Sequence, residues 1–147
     1  MAYEIIMWVD HTPVHFPPTR VVALENTLSG TILPLKHAKE ISDFVRSYPV
    51  PDGQKPIAMH LDGARLFEAV AAEGVDIKEY CACFDSISIC LAKGLGAPMG
   101  SVILGSKPFI ARAKWFRKMF GGGTRQVGFI FRNNEVERAL KEDAKTD

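Results

Sequence analysis

Two charged residues, a lysine and an aspartate, each lie between an apolar segment and glycines. Asp62 follows IAMHL (57–61), and Lys93 closely follows FDSISICL (84–91). A lysine at a partly desolvated strand end can become a usable amine nucleophile. A carboxylate in such a place is also partly desolvated and needs a cationic partner. The two residues therefore predict an amine nucleophile and an anion that can hold a proton on a ligand nitrogen.

Each of these residues also has a purely structural interpretation. Asp62 could be the cap of a helix at 64–74, since aspartate is a preferred N-cap. Lys93 could extend its ammonium to solvent along an apolar stem. Arg65 follows Asp62 by three residues, and its guanidinium suits a carboxylate ligand. That same guanidinium could instead pair with Asp62 or with a surface glutamate.

A glycine triplet with flanking cations forms the next candidate. The segment RKMFGGGTRQ (117–126) contains Gly121–Gly123 between Lys118 and Arg125. Glycines allow the backbone to approach an anion closely, although flexible loops have the same composition. The sequence therefore predicts an anion-binding loop or a flexible connection here.

Strand and helix patterns alternate along the chain and position these residues. Strands are predicted at 20–26, 57–61, 84–91 and 101–105, and helices at 34–48, 64–74, 106–120 and 133–145. This alternation is typical of an α/β fold with parallel strands. Functional groups in such folds lie at the carboxyl ends of strands, where Glu25, Asn26, Asp62 and Lys93 occur.

Composition and charge narrow the class of protein further. The chain has 147 residues, a formal net charge of +1 and 47% hydrophobic residues, which suits one globular domain and argues against a nucleic-acid surface or a membrane span. Three cysteines, Cys81, Cys83 and Cys90, indicate a reducing compartment rather than a disulfide framework. We expect no metal site, and the apolar start with an early carboxylate predicts a cytoplasmic protein without a secretory signal.

Several ordered segments together resemble the threonine aldolase family. These segments are VVALENT (21–27), SGTILPL (29–35), HLDGARLFEA (60–69), SISICLAKGLGAPMGS (86–101) and RKMFGGGTRQ (117–126). The resemblance implies the aspartate aminotransferase-like fold and a dependence on pyridoxal 5′-phosphate. It also implies part of the cofactor-binding large domain at 20–128. The residue pattern adds an extended proline-rich lead-in at 1–19 and a polar C-terminal helix or tail at 129–147.

The resemblance also implies a role for each candidate residue. Lys93 would form the Schiff base with the cofactor aldehyde, and Asp62 would pair with the pyridinium nitrogen. Arg65 and Lys118 would contact the substrate, a β-hydroxy amino acid. Arg125 would bind the cofactor, serving the phosphate of a neighbouring subunit, which implies a homo-oligomer. The implied reaction is retro-aldol cleavage of L-threonine or L-allo-threonine to glycine and acetaldehyde.

Two positions depart from the family pattern and leave an alternative open. Leu28 replaces a histidine near the substrate hydroxyl, and Ala92 replaces a serine before the lysine. The chain also resembles only the middle of the family's large domain. The alternative is therefore a truncated, catalytically weak or inactive relative that acts as a remnant or an interaction module.

Overall fold

The computed structural model describes residues 18–123 and Arg125, and it contains one four-stranded sheet. The strands are β1 (Val21–Glu25), β2 (Ala58–Gly63), β3 (Ser86–Cys90) and β4 (Ser101–Gly105), in that spatial order. The first three are parallel, and β4 runs antiparallel to β3. The predicted α/β fold with a mainly parallel sheet flanked by helices is confirmed.

Four helices accompany the sheet: α1 (Leu35–Ser47), α2 (Leu66–Glu73), α3 (Ile77–Cys81) and α4 (Lys107–Met119). Three of them match the predicted helices closely. The sequence patterns did not predict α3, because five residues are too few to show a helical period. Its N-cap is Asp76, whose Oδ1 accepts a hydrogen bond from Lys78 N at 2.7 Å. The predictions for 1–17 and for the helix at 133–145 fall outside the described residues.

One face of the sheet carries the hydrophobic core. Alternate residues of the two central strands are buried, namely Met59, Leu61, Ile87 and Ile89. They form one cluster with apolar side chains from α1, α2 and α3, including Ala38, Val45, Leu66, Val70 and Tyr80. Burying a leucine, isoleucine, valine or methionine side chain in this cluster stabilises the fold by about 1.5–3 kcal/mol. Burial on this face therefore fixes the register of the strands.

The opposite face of the sheet, which we call the polar face, carries Glu25, Asp62 and Ser88 together with apolar residues such as Ile103. Asp62 is the register partner of Glu25 on one side and of Ser88 on the other. Register partners project to the same face of a sheet, and neighbouring strands are about 4.8 Å apart. The face that the core does not occupy is therefore lined by Asp62, Ser88 and the residues two positions away from them in the same strands.

The last described helix lies over the β4 side of this polar face. Ser106 caps α4 by accepting from Phe109 N, and Pro108 lies in the first turn, as the sequence predicts. Since β4 runs away from the carboxyl ends of the parallel strands, α4 returns toward them over about 20 Å. Its last turn, with Arg117 and Lys118, therefore approaches the edge that carries Asp62. Between residues 18 and 123, no helix has the length and apolar character needed to cross a membrane.

Candidate active site

Asp62 lies near the carboxyl end of β2, with its side chain exposed on the polar face. Its Oδ1 accepts hydrogen bonds from Ala64 N at 3.1 Å and from Ser88 Oγ at 3.4 Å. Its Oδ2 has no hydrogen-bond partner within the part of the chain that the structure describes. The interpretation of Asp62 as a helix cap is wrong, because Arg65 occupies the N-cap of α2 and no side chain caps that helix. Asp62 therefore closes a local turn through Oδ1, and its Oδ2 has no partner among the described residues.

Lys93 lies in the loop that joins β3 to β4. Gly96 N donates to Lys93 O at 2.9 Å, and Ala97 N donates to Leu91 O at 2.9 Å. The loop is anchored by Ala97, which is 4% exposed. The Lys93 side chain is exposed, and its amine has no hydrogen-bond or ion-pair partner among residues 18–123. The backbone of the lysine is thus held in a hydrogen-bonded loop while its side chain stays free.

The expected partial burial of Asp62 and Lys93 is not observed. Both side chains are exposed, because α4 covers only the β4 side of the polar face. The described residues therefore place Asp62 and Lys93 near strand ends. They do not surround the two side chains with the low-polarity environment that the strand-end pattern predicts.

The end of β2 that carries Asp62 and the loop that carries Lys93 lie at the same edge of the sheet. Gly63 is the register partner of Ile89, so the end of β2 lies beside the end of β3. A Cβ added at Gly94 would lie 2.7 Å from Glu68 Oε2, so the carboxylate of Glu68 from α2 packs against the backbone next to Lys93. Glu68 thus joins the helix that follows Asp62 to the loop that contains Lys93, a contact the sequence analysis did not predict.

The backbone of Arg65 is held by a hydrogen bond, whereas its side chain is exposed. Its N donates to Asn26 O at 3.1 Å. The predicted alternative of an ion pair with Asp62 or a glutamate is not present among the described residues. The guanidinium is consequently available for a carboxylate ligand.

Two cavities flank the hydrogen bond between Asp62 and Ser88. One, of about 390 Å³, lies beside β1 and is lined by Asp62, Glu25, Leu28 and mainly apolar neighbours. The other, of about 560 Å³, lies beneath α4 and is lined by Ser88, Ser101, Arg117 and other residues of β4 and α4. A ligand that contacts the carboxylate of Asp62 could extend into either cavity.

The predicted cations of the glycine-rich segment are placed only in part. Lys118 is exposed in the last turn of α4 and does not line the cavity beneath that helix, whereas Arg117 and Lys114 do. Arg125 is exposed, and its chain neighbours fall outside the described residues. Helical spacing explains the difference. The α4 residues that line the cavity, 110, 113, 114 and 117, centre on one helix face, and residue 118 lies about 90° around the helix from the middle of that face.

The donor set fits the cofactor that the sequence analysis implies. A carboxylate with an unused oxygen suits a protonated ring nitrogen, and an unpaired primary amine suits an aldehyde. Asp62 and Lys93 bring these two groups to one edge, with Ser88 orienting the carboxylate. The residues present are thus chemically compatible with pyridoxal 5′-phosphate.

A mostly parallel sheet with its polar groups at the carboxyl edge places this protein in the α/β class whose ligand sites lie at that edge. The chain belongs to the beta-eliminating lyase family, whose model matches residues 4–145. This agrees with the resemblance to threonine aldolases described above.

Individual relatives and one crystal structure extend this comparison. The chain is 50% identical over 117 residues to the "Probable low-specificity L-threonine aldolase" of Schizosaccharomyces pombe, covering 80% of this chain and 29% of the relative. It is 47% identical over 125 residues to the low-specificity L-threonine aldolase of Candida albicans, covering 85% and 32%. A crystal structure of a "Putative aromatic amino acid beta-eliminating lyase/threonine aldolase" from Exiguobacterium sp. 255-15 matches with a TM-score of 0.66 and 28% identity, over 85% of this chain and 34% of that one. The chain thus spans about three tenths of the length of the curated relatives it matches.

Proposed function

We propose that this chain carries the lysine and aspartate of a threonine aldolase site and takes part in retro-aldol cleavage of L-threonine or L-allo-threonine to glycine and acetaldehyde. The observation that carries the proposal is the placement of Asp62 and Lys93 at neighbouring strand ends of one sheet edge. Identity of 50% and 47% to proteins named low-specificity L-threonine aldolase supports it over the alternative of an inactive relative.

Lys93 and Asp62 would hold pyridoxal 5′-phosphate, Lys93 at the aldehyde carbon and Asp62 at the ring nitrogen. When bound, this cofactor accepts the electron pair that a bond to the substrate Cα releases. Asp62 keeps a proton on the ring nitrogen, and the hydrogen bond from Ser88 Oγ at 3.4 Å restricts the rotation of its carboxylate. Lys93 and Asp62 would therefore hold the cofactor, and the negative charge of Asp62 would keep the ring nitrogen protonated.

Arg65 would orient the substrate by its carboxylate, since its guanidinium is exposed and unpaired among the described residues. Lys118 would contribute a second cation from the end of α4, and Arg125 would serve the phosphate of a neighbouring subunit. Holding a substrate in one orientation is a large part of what a protein adds to such a reaction. Leu28 lines the cavity beside Asp62 and cannot accept the proton of the β-hydroxyl. That proton must therefore leave by another group or by water.

A homo-oligomer in the cytoplasm is the setting we propose for this activity. The support for the oligomer is the exposed apolar surface of β4, α4 and the C-cap of α4, where Trp115 is 57% exposed and Phe120 is 77% exposed. Surfaces of this kind are typical of protein contacts. The support for the cytoplasm is that Cys81, Cys83 and Cys90 are free thiols, which suits a reducing compartment.

The proposed function is tested by mixing the purified chain with pyridoxal 5′-phosphate and each threonine isomer. Acetaldehyde is measured with alcohol dehydrogenase and NADH. We expect acetaldehyde release that Lys93→Ala abolishes and that Lys107→Ala, an exposed lysine at the start of α4 and away from the carboxyl edge of the sheet, retains. Release that is equal in wild type and Lys93→Ala would contradict the proposal. Cofactor binding without acetaldehyde from either isomer would favour the inactive relative.

A further inference from the structure

Asn26 is a fully buried polar residue immediately after β1, and its side chain is completely engaged. It is 0% exposed. Its Nδ2 donates to Tyr80 Oη at 2.9 Å and to Leu33 O at 3.3 Å, and its Oδ1 accepts from Leu33 N at 3.3 Å. Tyr80, also 0% exposed, donates from Oη to Leu33 O at 2.8 Å. The three residues form a closed network in the core.

The backbone of Asn26 joins this network to the candidate site. Asn26 N donates to Asp62 O at 2.9 Å, and Asn26 O accepts from Arg65 N at 3.1 Å. Its two main-chain groups therefore bind both ends of the turn that carries the carboxylate of Asp62 and the guanidinium of Arg65. A displacement of Asn26 would move both charged side chains.

The same residue fixes one wall of the cavity beside Asp62. The side-chain amide of Asn26 binds both backbone groups of Leu33, which closes the segment 27–32 into a loop. Within that loop Leu28 and Thr31 bond to each other at 3.1 and 2.8 Å, and both line the cavity. Asn26 thus fixes the position of the loop 27–32 relative to the carboxylate of Asp62.

A network of this kind holds one arrangement firmly, because loss of one partner leaves the others buried and unsatisfied. The Tyr80 hydroxyl is protonated at neutral pH and can donate its hydrogen bond, and burial raises the pKa of the phenol further. Neither Asn26 nor Tyr80 lies on the polar face, so neither touches a ligand bound there.

We propose that Asn26 and Tyr80 are positioning residues, which hold Asp62, Arg65 and the loop 27–32 in the arrangement that receives the cofactor and the substrate. The inference rests on the proposed function for what Asp62 and Arg65 bind. It adds a buried hydrogen bond between two residues that are 54 positions apart in sequence. This hydrogen bond acts on Asp62 and Arg65 through the backbone of Asn26.

The test compares Tyr80→Phe with Ser42→Ala. Tyr80→Phe removes only the hydroxyl. Ser42 is a matched control, because it is also buried and donates to Cys83 O at 2.9 Å, near the opposite, amino end of β3. The full chain is titrated with pyridoxal 5′-phosphate, and amide hydrogen exchange is followed without the cofactor.

We expect Tyr80→Phe to weaken cofactor affinity about tenfold and to speed exchange at Asn26 N and Arg65 N, while the amides of α1 keep their protection. Ser42→Ala should change neither. Unchanged exchange at Asn26 N and Arg65 N in Tyr80→Phe, or the same acceleration in Ser42→Ala, would overturn the positioning role. Asn26→Ala, if it folds, should show the larger effect.

The two readouts separate this inference from the proposed function. If the wild-type chain takes up no cofactor, the proposed function fails, and the exchange measurement still decides whether Asn26 and Tyr80 position the turn. If the wild type binds the cofactor and Tyr80→Phe binds it equally well, the positioning role fails while the proposed function stands.

Discussion

The hydroxyl of Ser88 donates to the carboxylate of Asp62 at 3.4 Å across two neighbouring parallel strands. Because the two residues are register partners, this contact is set by the sheet rather than by a loop. It orients one carboxylate oxygen and leaves the other without a partner among residues 18–123. Strand pairing thus orients the side chain of Asp62, to which we assign the ring nitrogen of the proposed cofactor.

Lys93 should be the residue that binds the cofactor covalently. We expect visible absorption when the chain is mixed with pyridoxal 5′-phosphate, and borohydride reduction should leave the label on Lys93, as found by peptide mass spectrometry. The reason is that its unpaired amine lies at the same sheet edge as Asp62. Lys93→Ala should lose the label, and Lys118→Ala should retain it. A label on another lysine in wild type would contradict this assignment.

Asp62→Asn should weaken cofactor binding about 10- to 100-fold, because a hydrogen bond to a charged group stabilises by about 1.5–3 kcal/mol. Ser88→Ala should weaken binding less than about threefold, since it removes only a long and exposed contact. Both constants can be measured by absorbance titration. Equal losses of cofactor affinity in the two variants would show that the negative charge of Asp62 does not contribute to cofactor binding.

Leu28→His should raise the rate of β-hydroxy amino acid cleavage, by about 100-fold if the imidazole reaches the hydroxyl. Leu28 is 56% exposed and lines the cavity beside Asp62, so a histidine there can meet the substrate. The neutral imidazole is the base, so the gain should appear as the pH rises through about 6.5. Leu28→Gln, similar in size but without this titration, is the control, and a pH-independent gain would contradict the mechanism.

Gly63→Ala should destabilise the chain by about 1–3 kcal/mol, because overpacking next to backbone forces a strand to move. The added Cβ would lie 3.0 Å from Ser88 O and 3.2 Å from Leu66 Cβ. Gly94→Ala should cost less than about 1 kcal/mol, since its Cβ meets only the flexible end of Glu68. Urea unfolding measures both. Equal costs would show that the β2–β3 spacing does not require glycine.

The free energy of unfolding should fall at alkaline pH. Burial raises the pKa of Tyr80 above its ordinary value of 10.0, so the folded state favours the neutral phenol. This stabilisation is complete below pH 10 and is lost as the pH rises above it. Burial also raises the pKa of Cys81 and Cys83 from 9.0, which adds a smaller loss that begins near pH 9.

Denaturant unfolding between pH 8 and 11 tests this dependence. Tyr80→Phe should remove the part above pH 10, and a Cys81→Ala, Cys83→Ala double variant should retain that part. A pH profile of Tyr80→Phe that parallels wild type would show that another group is responsible.

The sequence alone determined the elements that build the sheet edge. The apolar segments at 57–61 and 84–91 predicted β2 and β3, the serine and proline at 106 and 108 predicted the start of α4, and Gly74 marked the end of α2. These features depend on neighbours within a few residues, so they can be read locally. For the same reason the placement of Asp62 and Lys93 near strand ends was predictable.

Only the tertiary structure decided how these groups are surrounded. It showed that Lys93 is exposed, that Arg117 rather than Lys118 lines the cavity beneath α4, and that Glu68 packs against Gly94. It also joined Asn26 to Tyr80 across 54 residues. Burial and long-range hydrogen bonds depend on which elements pack together, and a local pattern of residue types does not contain that information.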